Sequence, residues 1–343
     1  MIFKSILPVT LIISLLHCPY ALIIFPAQAT GLNPKLVDNG YGNDLHLVSS
    51  RLIVLIRTFS ILNTTAVGGS PLDPSSAPSI DIAQSRSQVE AIPAGELFHQ
   101  YASAIGNCWF QSSYQIVGGV IFENTILPPL LTDFRLYDHI RVAVNSDHVA
   151  WAILRVMDGV FPQVQETQQE WPVPTYYEVS LAGEPIAAIR TARGFHIGNA
   201  TQGSNPVKVS ANEEGDVGVR LAYAGQSMTI KTILALFLDM MRQVWQHRST
   251  ESIRVDGYPP GSVIESRNTQ TGFKMVLEIR KTYISGFNVE WLDVHLGLAI
   301  VVAQMTLRGR WEGFTANFII DNIVFVKASV ITTTATRHLE TDR

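Results

Sequence analysis

One stretch of the sequence comes close to the nucleophile turn of serine hydrolases. That turn needs Gly-x-Ser-x-Gly between a strand and a helix, so that the serine is exposed on a sharp bend. Residues 225–229 are Gly-Gln-Ser-Met-Thr, and the second glycine is missing. Ser227 directly precedes an apolar helical pattern, where a serine side chain can accept a free backbone N–H group. The sequence therefore favours a helix cap at Ser227 over a nucleophile.

The histidines and acidic residues show no metal-binding pattern. None of the nine histidines lies in His-Glu-x-x-His, and the nearest approaches to ligand spacing are Asp138-His139 and Asp293-x-His295. Residues two apart on a helix point in different directions, so we expect a surface or capping role for Asp293 and His295. The acidic run at 213–216 is better explained by a solvated turn between strands at 207–209 and 217–219 than by a calcium loop.

No cofactor is predicted either. The sequence has no Gly-x-Gly-x-x-Gly after a strand and no phosphate-binding loop that ends in Gly-Lys-Ser/Thr. Glycoside hydrolysis needs two facing carboxylates, and the sequence does not show which of the 29 acidic residues converge. That activity remains open without candidate residues.

Aromatic residues are the remaining candidates for a binding site. They occur in helix bodies and at helix-to-strand junctions, where they could line an apolar pocket between helices and a sheet. Core packing explains the same positions, and both interpretations stay open. The residues concerned are Trp151, Trp171, Tyr176, Tyr177, Trp245, Trp291 and Trp311.

A pattern that occurs three times positions these residues. In each copy an amphipathic helix precedes segments that alternate with period two. Ser146 or Asp147 would cap the first helix, Ser227 the second, and Gly309 would end the third. The predicted helices cover 146–160, 227–247 and 288–307.

The alternating segments predict strands at 176–181, 186–191, 273–280, 314–320 and 324–328. Turns at 182–185 and at Asp321-Asn322 would join two pairs of them into hairpins. The predicted fold class is α+β, an antiparallel sheet with helices packed on one face. Whether the helix–hairpin units are true repeats or the ordinary succession of an α+β domain stays open.

The amino terminus predicts export. Lys4 precedes an apolar run from 6 to 25, and Ala-Gln-Ala at 27–29 suits signal peptidase, so residues 1–29 are interpreted as a signal peptide. An uncleaved anchor is the alternative because the apolar run is long, although three prolines would disturb a spanning helix. We therefore expect a secreted protein that meets the membrane only in transit.

Two features of the remaining chain agree with export. Asn63 and Asn199 begin Asn-x-Thr glycosylation sequons. Cys18 lies in the leader, so Cys108 alone remains, and beside Trp109 it is predicted to be a buried free thiol. The net charge of −4 and the lack of a Lys/Arg cluster argue against a nucleic-acid partner.

Composition divides the rest of the chain. Residues 30–95 are rich in Gly, Pro, Ser and Asp and are predicted to be a pro-segment or disordered linker. Within them, 45–62 is either a short packed helix or a gene-model artefact. An α+β globular domain is predicted at 96–330 and a flexible tail at 331–343.

Two short sequences carry a resemblance. Gly-Arg-Trp-Glu-Gly-Phe at 309–314 and Leu-Ala-Gly-Glu-Pro at 181–185 resemble secreted hypothetical proteins of filamentous fungi. The likeness covers 138–330, and some members of that group are encoded among natural-product genes. It implies a fungal source and a secreted compartment, and it transfers no catalytic residue.

These observations predict a secreted glycoprotein that binds an apolar small molecule or an extracellular partner without catalysis. One alternative is a cofactor-free enzyme or accessory protein of a fungal natural-product pathway, with a buried ionisable group such as His148, Asp158 or His295. The other is a structural or interaction protein, which would expose a large apolar patch. Neither the ligand nor the oligomeric state follows from the sequence.

Overall fold

The computed structural model describes residues 46–48, 52–54, 70–84, 89–110, 115–116, 118–123, 127, 130–161, 170–174, 176–193, 207–209, 211–213, 217–253, 262–268, 271–280 and 289–332. The predicted signal peptide, both glycosylation sequons, at Asn63 and Asn199, and the end of the predicted tail lie outside these residues. Within the described part, no helix combines the length and the apolar character needed to cross a membrane.

The described residues form four α-helices, of which the sequence predicted the last three. They are α1 (Ala94–Phe110), α2 (Ser146–Val160), α3 (Ile230–Trp245) and α4 (Trp291–Arg308). Gly309 ends α4 in the left-handed conformation at φ 59°, as predicted.

The predicted N-terminal caps were wrong by one or two residues. Asn145 caps α2, and its side chain accepts a hydrogen bond from the His148 backbone. Thr229 caps α3, whereas Ser227 ends the preceding strand. In each case a side chain closer to the true first turn could reach the free N–H groups.

Sixteen strands accompany these helices in the described residues. In chain order they are β1 (His46–Val48), β2 (Leu52–Val54), β3 (Ile80–Gln84), β4 (Val89–Pro93), β5 (Gly119–Glu123), β6 (Leu130–Leu136), β7 (Glu170–Pro174), β8 (Tyr176–Leu181), β9 (Glu184–Arg193), β10 (Val207–Val209), β11 (Ala211–Glu213), β12 (Gly218–Ser227), β13 (Val263–Asn268), β14 (Phe273–Ile279), β15 (Glu312–Ile320) and β16 (Ile323–Thr332).

Two antiparallel sheets form the body of the fold. The first has the order β5-β6-β9-β8-β3, with β10 added in parallel beside β5. The second has the order β13-β14-β16-β15-β12, with β1 beside β12. Two small ladders pair β2 with β11 and β4 with β7. The predicted α+β class is confirmed.

Both sheets are built by the same succession of elements. The first unit runs β3, α1, the hairpin β5–β6, α2 and the hairpin β8–β9; the second runs β12, α3, β13–β14, α4 and β15–β16. The spatial order also agrees, because the second strands of the two hairpins are neighbours and the opening strand lies at the far side. The structure therefore contains a repeated unit, and the first unit additionally carries β4 and β7.

The central helices α1 and α4 connect the two units. Every residue of α1 from Ala94 to Trp109 is buried, as is α4 from Trp291 to Met305. On one side Gln100 of α1 reaches β5 and β6, and on another Gly106 packs against His295 of α4. Gly297 of α4 in turn packs against the ring of Phe318 in β15. Helices covered on all sides belong to the core.

Two segments differ in placement from their prediction. The predicted domain boundary at residue 96 falls inside α1, and β3, within the predicted linker, pairs with β8. The short stretch 45–62 contains the strands β1 and β2. The predicted pairing of 207–209 with 217–219 was wrong, because β10 pairs with β5 and β12 pairs with β15 and β1.

Candidate functional site

The structure distributes the predicted pocket-lining aromatic residues over several places. Trp245 and Trp291 are fully buried. The Trp245 ring contacts the His295 ring, and the Trp291 ring stacks on the His247 ring. Trp151 is buried on α2 at a separate position. Trp171 lies in β7, and its side chain is outside the described part of the structure.

Of the three remaining predicted residues, two lie near α1. The ring of Trp311, partly buried, contacts the position of Gly95 in the first turn of α1. Tyr177 of β8 is buried and interacts electrostatically with Tyr101 of α1. Tyr176, its neighbour on the opposite face, lies 3.3 Å from the Tyr137 hydroxyl.

A histidine–tryptophan cluster fills the contact between α1, α3 and α4. The Trp245 indole N–H donates to His295 Nδ1 at 3.2 Å, which leaves His295 Nε2 to carry the ring hydrogen and bond the backbone of Ala102. The Trp109 indole N–H donates to the His247 carbonyl at 3.1 Å, and the His247 ring stacks on Trp291 at 3.9 Å.

Both ring nitrogens of His295 are thus occupied by the protein. Burial lowers the pKa of His295 to about 4, so the neutral ring is the form that packs in the core. The surface or capping role predicted for His295 was wrong. Asp293 does have the predicted capping role, since its Oδ2 accepts from the Glu290 backbone N–H at 2.9 Å.

The other ionisable candidates also have structural partners. His148 Nδ1 accepts from the Asn145 backbone N–H at 3.1 Å, which completes the capping box of α2, and burial lowers its pKa. Asp158 forms an ion pair with Arg242 of α3. Burial raises the pKa of Asp158, and the charge of Arg242 opposes that shift. His148 Nδ1 and the Asp158 carboxylate are thus both engaged in structural contacts.

A buried chain of uncharged polar groups lies between α1 and the first sheet. Gln100 Nε2 donates to Thr132 Oγ1 at 3.1 Å, Thr132 Oγ1 lies 3.1 Å from Thr191 Oγ1, and Thr191 Oγ1 donates to the Tyr101 hydroxyl at 3.2 Å. None of these four side chains is more than 1% exposed. We call Gln100, Tyr101, Thr132 and Thr191 the polar network.

The hydrogen bonds of the polar network have one direction. Gln100 Nε2 also donates to the Phe122 carbonyl at 3.0 Å, and a carbonyl can only accept, so the amide orientation is fixed. Because Thr191 donates to Tyr101, its oxygen must accept the hydrogen of Thr132. The Tyr101 hydroxyl therefore accepts a hydrogen bond from Thr191 Oγ1 and does not donate its own hydrogen to the other members of the polar network.

Two buried polar atoms at the polar network have no hydrogen-bond partner. They are Gln100 Oε1 and the hydroxyl of Tyr177. Burial raises the pKa of both Tyr101 and Tyr177, so both phenols are neutral at physiological pH. A buried polar group without a partner typically costs about 1–3 kcal/mol. The structure thus holds an open acceptor and an open hydroxyl in its core.

The second unit shows that the fold does not require polar groups at this place. In the first sheet, Thr132 pairs with Thr191 on the inner face of β6 and β9. The corresponding inner pairs of β14 and β16 are Met275 with Val330, Leu277 with Ala328 and Ile279 with Val326. All six residues are apolar. The polar network is therefore specific to the first unit.

An ion pair lies where the polar network approaches the surface. Glu96 is one helical turn before Gln100, and Arg193 is two residues after Thr191, so both continue the same faces. Arg193 Nη2 and Glu96 Oε2 are 2.7 Å apart, with side chains 41% and 11% exposed. Burial raises the pKa of Glu96, and the charge of Arg193 opposes that shift.

The sequence contains a signal for this site that the aromatic residues obscured. In α1 the polar residues Glu96, Gln100, Ser103 and Asn107 form a stripe at helical spacing inside an otherwise apolar segment, and all are buried. No group of three or more His, Cys, Asp or Glu side chains suited to a metal occurs in the described ranges. Cys108 is buried, as predicted.

Comparisons of the chain with protein-family models, with curated proteins and with solved structures find no match.

Proposed function

We propose that this chain is a secreted glycoprotein that binds an apolar small molecule at the polar network and catalyses no reaction on it. The observation that carries the proposal is the pair of unpartnered buried atoms, Gln100 Oε1 and the Tyr177 hydroxyl. Buried polar atoms in native proteins are nearly always paired. The described residues have other unpartnered atoms, such as Gln304 Oε1, but these two lie beside one hydrogen-bonded network. A bound ligand would supply the partner that they lack.

The surroundings of the polar network favour a ligand with an apolar body. The same inner face of the sheet carries Leu130, Phe134 and Ile189, all fully buried. Small-molecule sites typically combine such apolar walls with a few placed polar groups. The network is closed to solvent in this structure, and the Glu96–Arg193 ion pair lies where it approaches the surface.

The described residues favour binding over the two alternatives. The polar network offers an amide and hydroxyls, and Glu96, one helical turn before Gln100, is held by Arg193. His148, Asp158 and His295 all have structural partners, whereas a general acid or base needs a free position beside the substrate. In the described part, the exposed large apolar residues are Val142, Val263 and Leu307, which lie on separate elements and form no patch.

Retention of a compound from a culture extract tests the binding proposal. The resemblance to secreted fungal proteins supports an extract of a filamentous fungus. The purified protein is incubated with the extract, washed, denatured and examined by mass spectrometry. We expect an unmodified apolar compound to be retained. Conversion of a compound, or retention of none by wild type, contradicts the proposal.

A matched pair of variants locates the binding. Gln100→Leu removes the open acceptor, while Gln304→Leu makes the same chemical change on α4, where Gln304 Nε2 approaches the Val219 carbonyl at 3.4 Å. Gln304 Oε1 is also buried without a partner, so the two changes are closely comparable. We expect retention to be lost in Gln100→Leu and kept in Gln304→Leu. Melting curves establish that both variants are folded.

Secretion and glycosylation are tested on the protein from a fungal host. We expect N-terminal sequencing to begin at Thr30 and glycosidase treatment to lower the mass at Asn63 and Asn199. A chain that retains Met1 and carries no glycan at either sequon contradicts this part of the proposal.

A further inference from the structure

The open acceptor of Gln100 restricts what a ligand can offer. The Phe122 carbonyl holds the amide NH2 group on its side, so Oε1 must face away from it. An amide oxygen only accepts hydrogen bonds. A ligand that satisfies Gln100 must therefore present a hydrogen-bond donor.

The charges around the polar network restrict the ligand further. Its four members carry no formal charge, and burial keeps the Tyr101 and Tyr177 phenols protonated. Glu96 and Arg193, which lie where the network approaches the surface, already neutralise each other at 2.7 Å. An ionised ligand group would thus be buried without a counter-ion, at a cost that a hydrogen bond does not offset.

We infer that the ligand is an uncharged molecule with a hydrogen-bond donor, an alcohol or an amide N–H on an apolar skeleton, whose donor binds Gln100 Oε1. This inference rests on the proposed binding function. The Tyr177 hydroxyl can then bond the oxygen of the same ligand or a second polar group on it. Hydrocarbons, ethers and carboxylates of the same skeleton lack either the donor or the neutrality.

Two probe series on different skeletons test the inference. One consists of 2-naphthol, 2-methoxynaphthalene, naphthalene and 2-naphthoate; the other consists of decan-1-ol, 1-methoxydecane, decane and decanoate. Affinities of the full secreted chain are measured by probe fluorescence for the first series and by competition for the second. We expect each alcohol to bind at least about tenfold more tightly than its ether, because the ether cannot donate a hydrogen bond to the buried Gln100 Oε1.

Variants separate the hydrogen bond from general apolar binding. In Gln100→Leu, alcohol and ether should bind equally, whereas Gln304→Leu should keep the wild-type preference. Tyr177→Phe, which leaves Gln100 Oε1 in place, should keep at least part of the preference and shows that a folded site is being measured.

The outcomes separate a wrong ligand class from a wrong binding function. If ether or hydrocarbon binds as tightly as the alcohol, or the carboxylate binds best, the ligand class is wrong and the binding function stands. If neither alcohol binds, the inference is overturned. If the fungal extract also yields no retained compound, the proposed function is overturned with it.

Discussion

Two histidines buried in the contact of α1 with α4 should make the fold sensitive to acid. His99 and His295 are each 1% exposed. Burial lowers the pKa of His99 to about 3, with a further contribution from the charge of His295, and it lowers the pKa of His295 to about 4. Both rings are neutral in the folded protein and would be charged in an unfolded chain below pH 6.5.

The sign of the effect follows from these values. Since the folded pKa lies below the unfolded one, stability is full above pH 6.5 and falls as the pH drops towards about 4. Each pKa unit corresponds to about 1.4 kcal/mol, so His295 alone should remove about 3 kcal/mol over this range. Domains are typically stable by about 5–15 kcal/mol, so this loss is a large share. Burial raises the pKa of Asp158 and Glu96, which opposes the effect of the histidines.

Urea unfolding followed by circular dichroism at pH 7, 6, 5 and 4 measures this dependence through the transition midpoint. His295→Gln keeps a side chain that can accept from the Trp245 indole and removes the titration. We expect this variant to be less stable at pH 7 but to lose about 3 kcal/mol less stability than wild type between pH 7 and 4, because His99 still titrates. His139→Gln, at an exposed position, is the control and should follow wild type. A His295→Gln variant with the wild-type pH dependence would refute the argument.

Four single substitutions test the packing of the described residues. Tyr177→Phe removes a buried hydroxyl without a partner and should raise the free energy of unfolding of the empty protein by about 1–3 kcal/mol; a loss of stability would show that the hydroxyl is paired. Tyr101→Phe deletes an acceptor in use and should lower it by about 1 kcal/mol or more, and an unchanged value contradicts the polar network. Gly106→Ala should destabilise the fold by about 1–3 kcal/mol or more, because the new Cβ would overlap His295 Nε2. Gly159→Ala places its Cβ in open space and should stabilise α2 by about 0.5–1 kcal/mol. Thermal and urea unfolding measure all of these, and similar effects at the two glycines would contradict the packing described.

Local signals explain why the later part of the fold was predictable. Asp321 and Asn322 adopt φ values of 50° and 64°, as a two-residue hairpin turn between β15 and β16 requires. Ala182 and Gly183 do the same between β8 and β9, at φ values of 52° and 83°. Each turn is encoded by neighbouring residues. The strand β9 is buried on both faces from Ile186 to Ile189, but β8, β15 and β16 bury mainly one face. Period-two alternation therefore identifies them without knowledge of the tertiary structure.

The helix that carries the site escaped prediction for a physical reason. The equally buried helix α4 was predicted because its apolar residues recur at helical spacing, whereas α1 mixes its apolar residues with a polar stripe at the same spacing. Its polar residues are buried against partners from other elements instead of facing solvent. The Gly-, Pro- and Ser-rich composition of residues 30–95 also led to a linker prediction where β3 lies, although Ile80 of β3 is buried in the core.

The polar network could not be assembled from the sequence because its bonds are distant along the chain. Gln100 and Thr132 are 32 residues apart, and Tyr101 and Thr191 are 90 apart. Threonine alternating with apolar residues in β6 resembles an ordinary strand until its partner is known. The predicted aromatic residues are prominent in the sequence because of their size, but Trp245 and Trp291 pack against His295 and His247 in the core.

The repeated unit provides an internal control for the proposed site. The two sheets have the same strand order. The second sheet packs its inner face with apolar pairs such as Leu277 and Ala328. Replacing both members of a buried hydrogen-bonded pair by apolar groups of similar shape is nearly neutral for stability. Folding therefore gives no reason for the first sheet to retain Thr132 and Thr191. Departures from local rules that fold stability does not explain are expected at functional sites. This contrast within one chain is what directs the search for a ligand to the first unit.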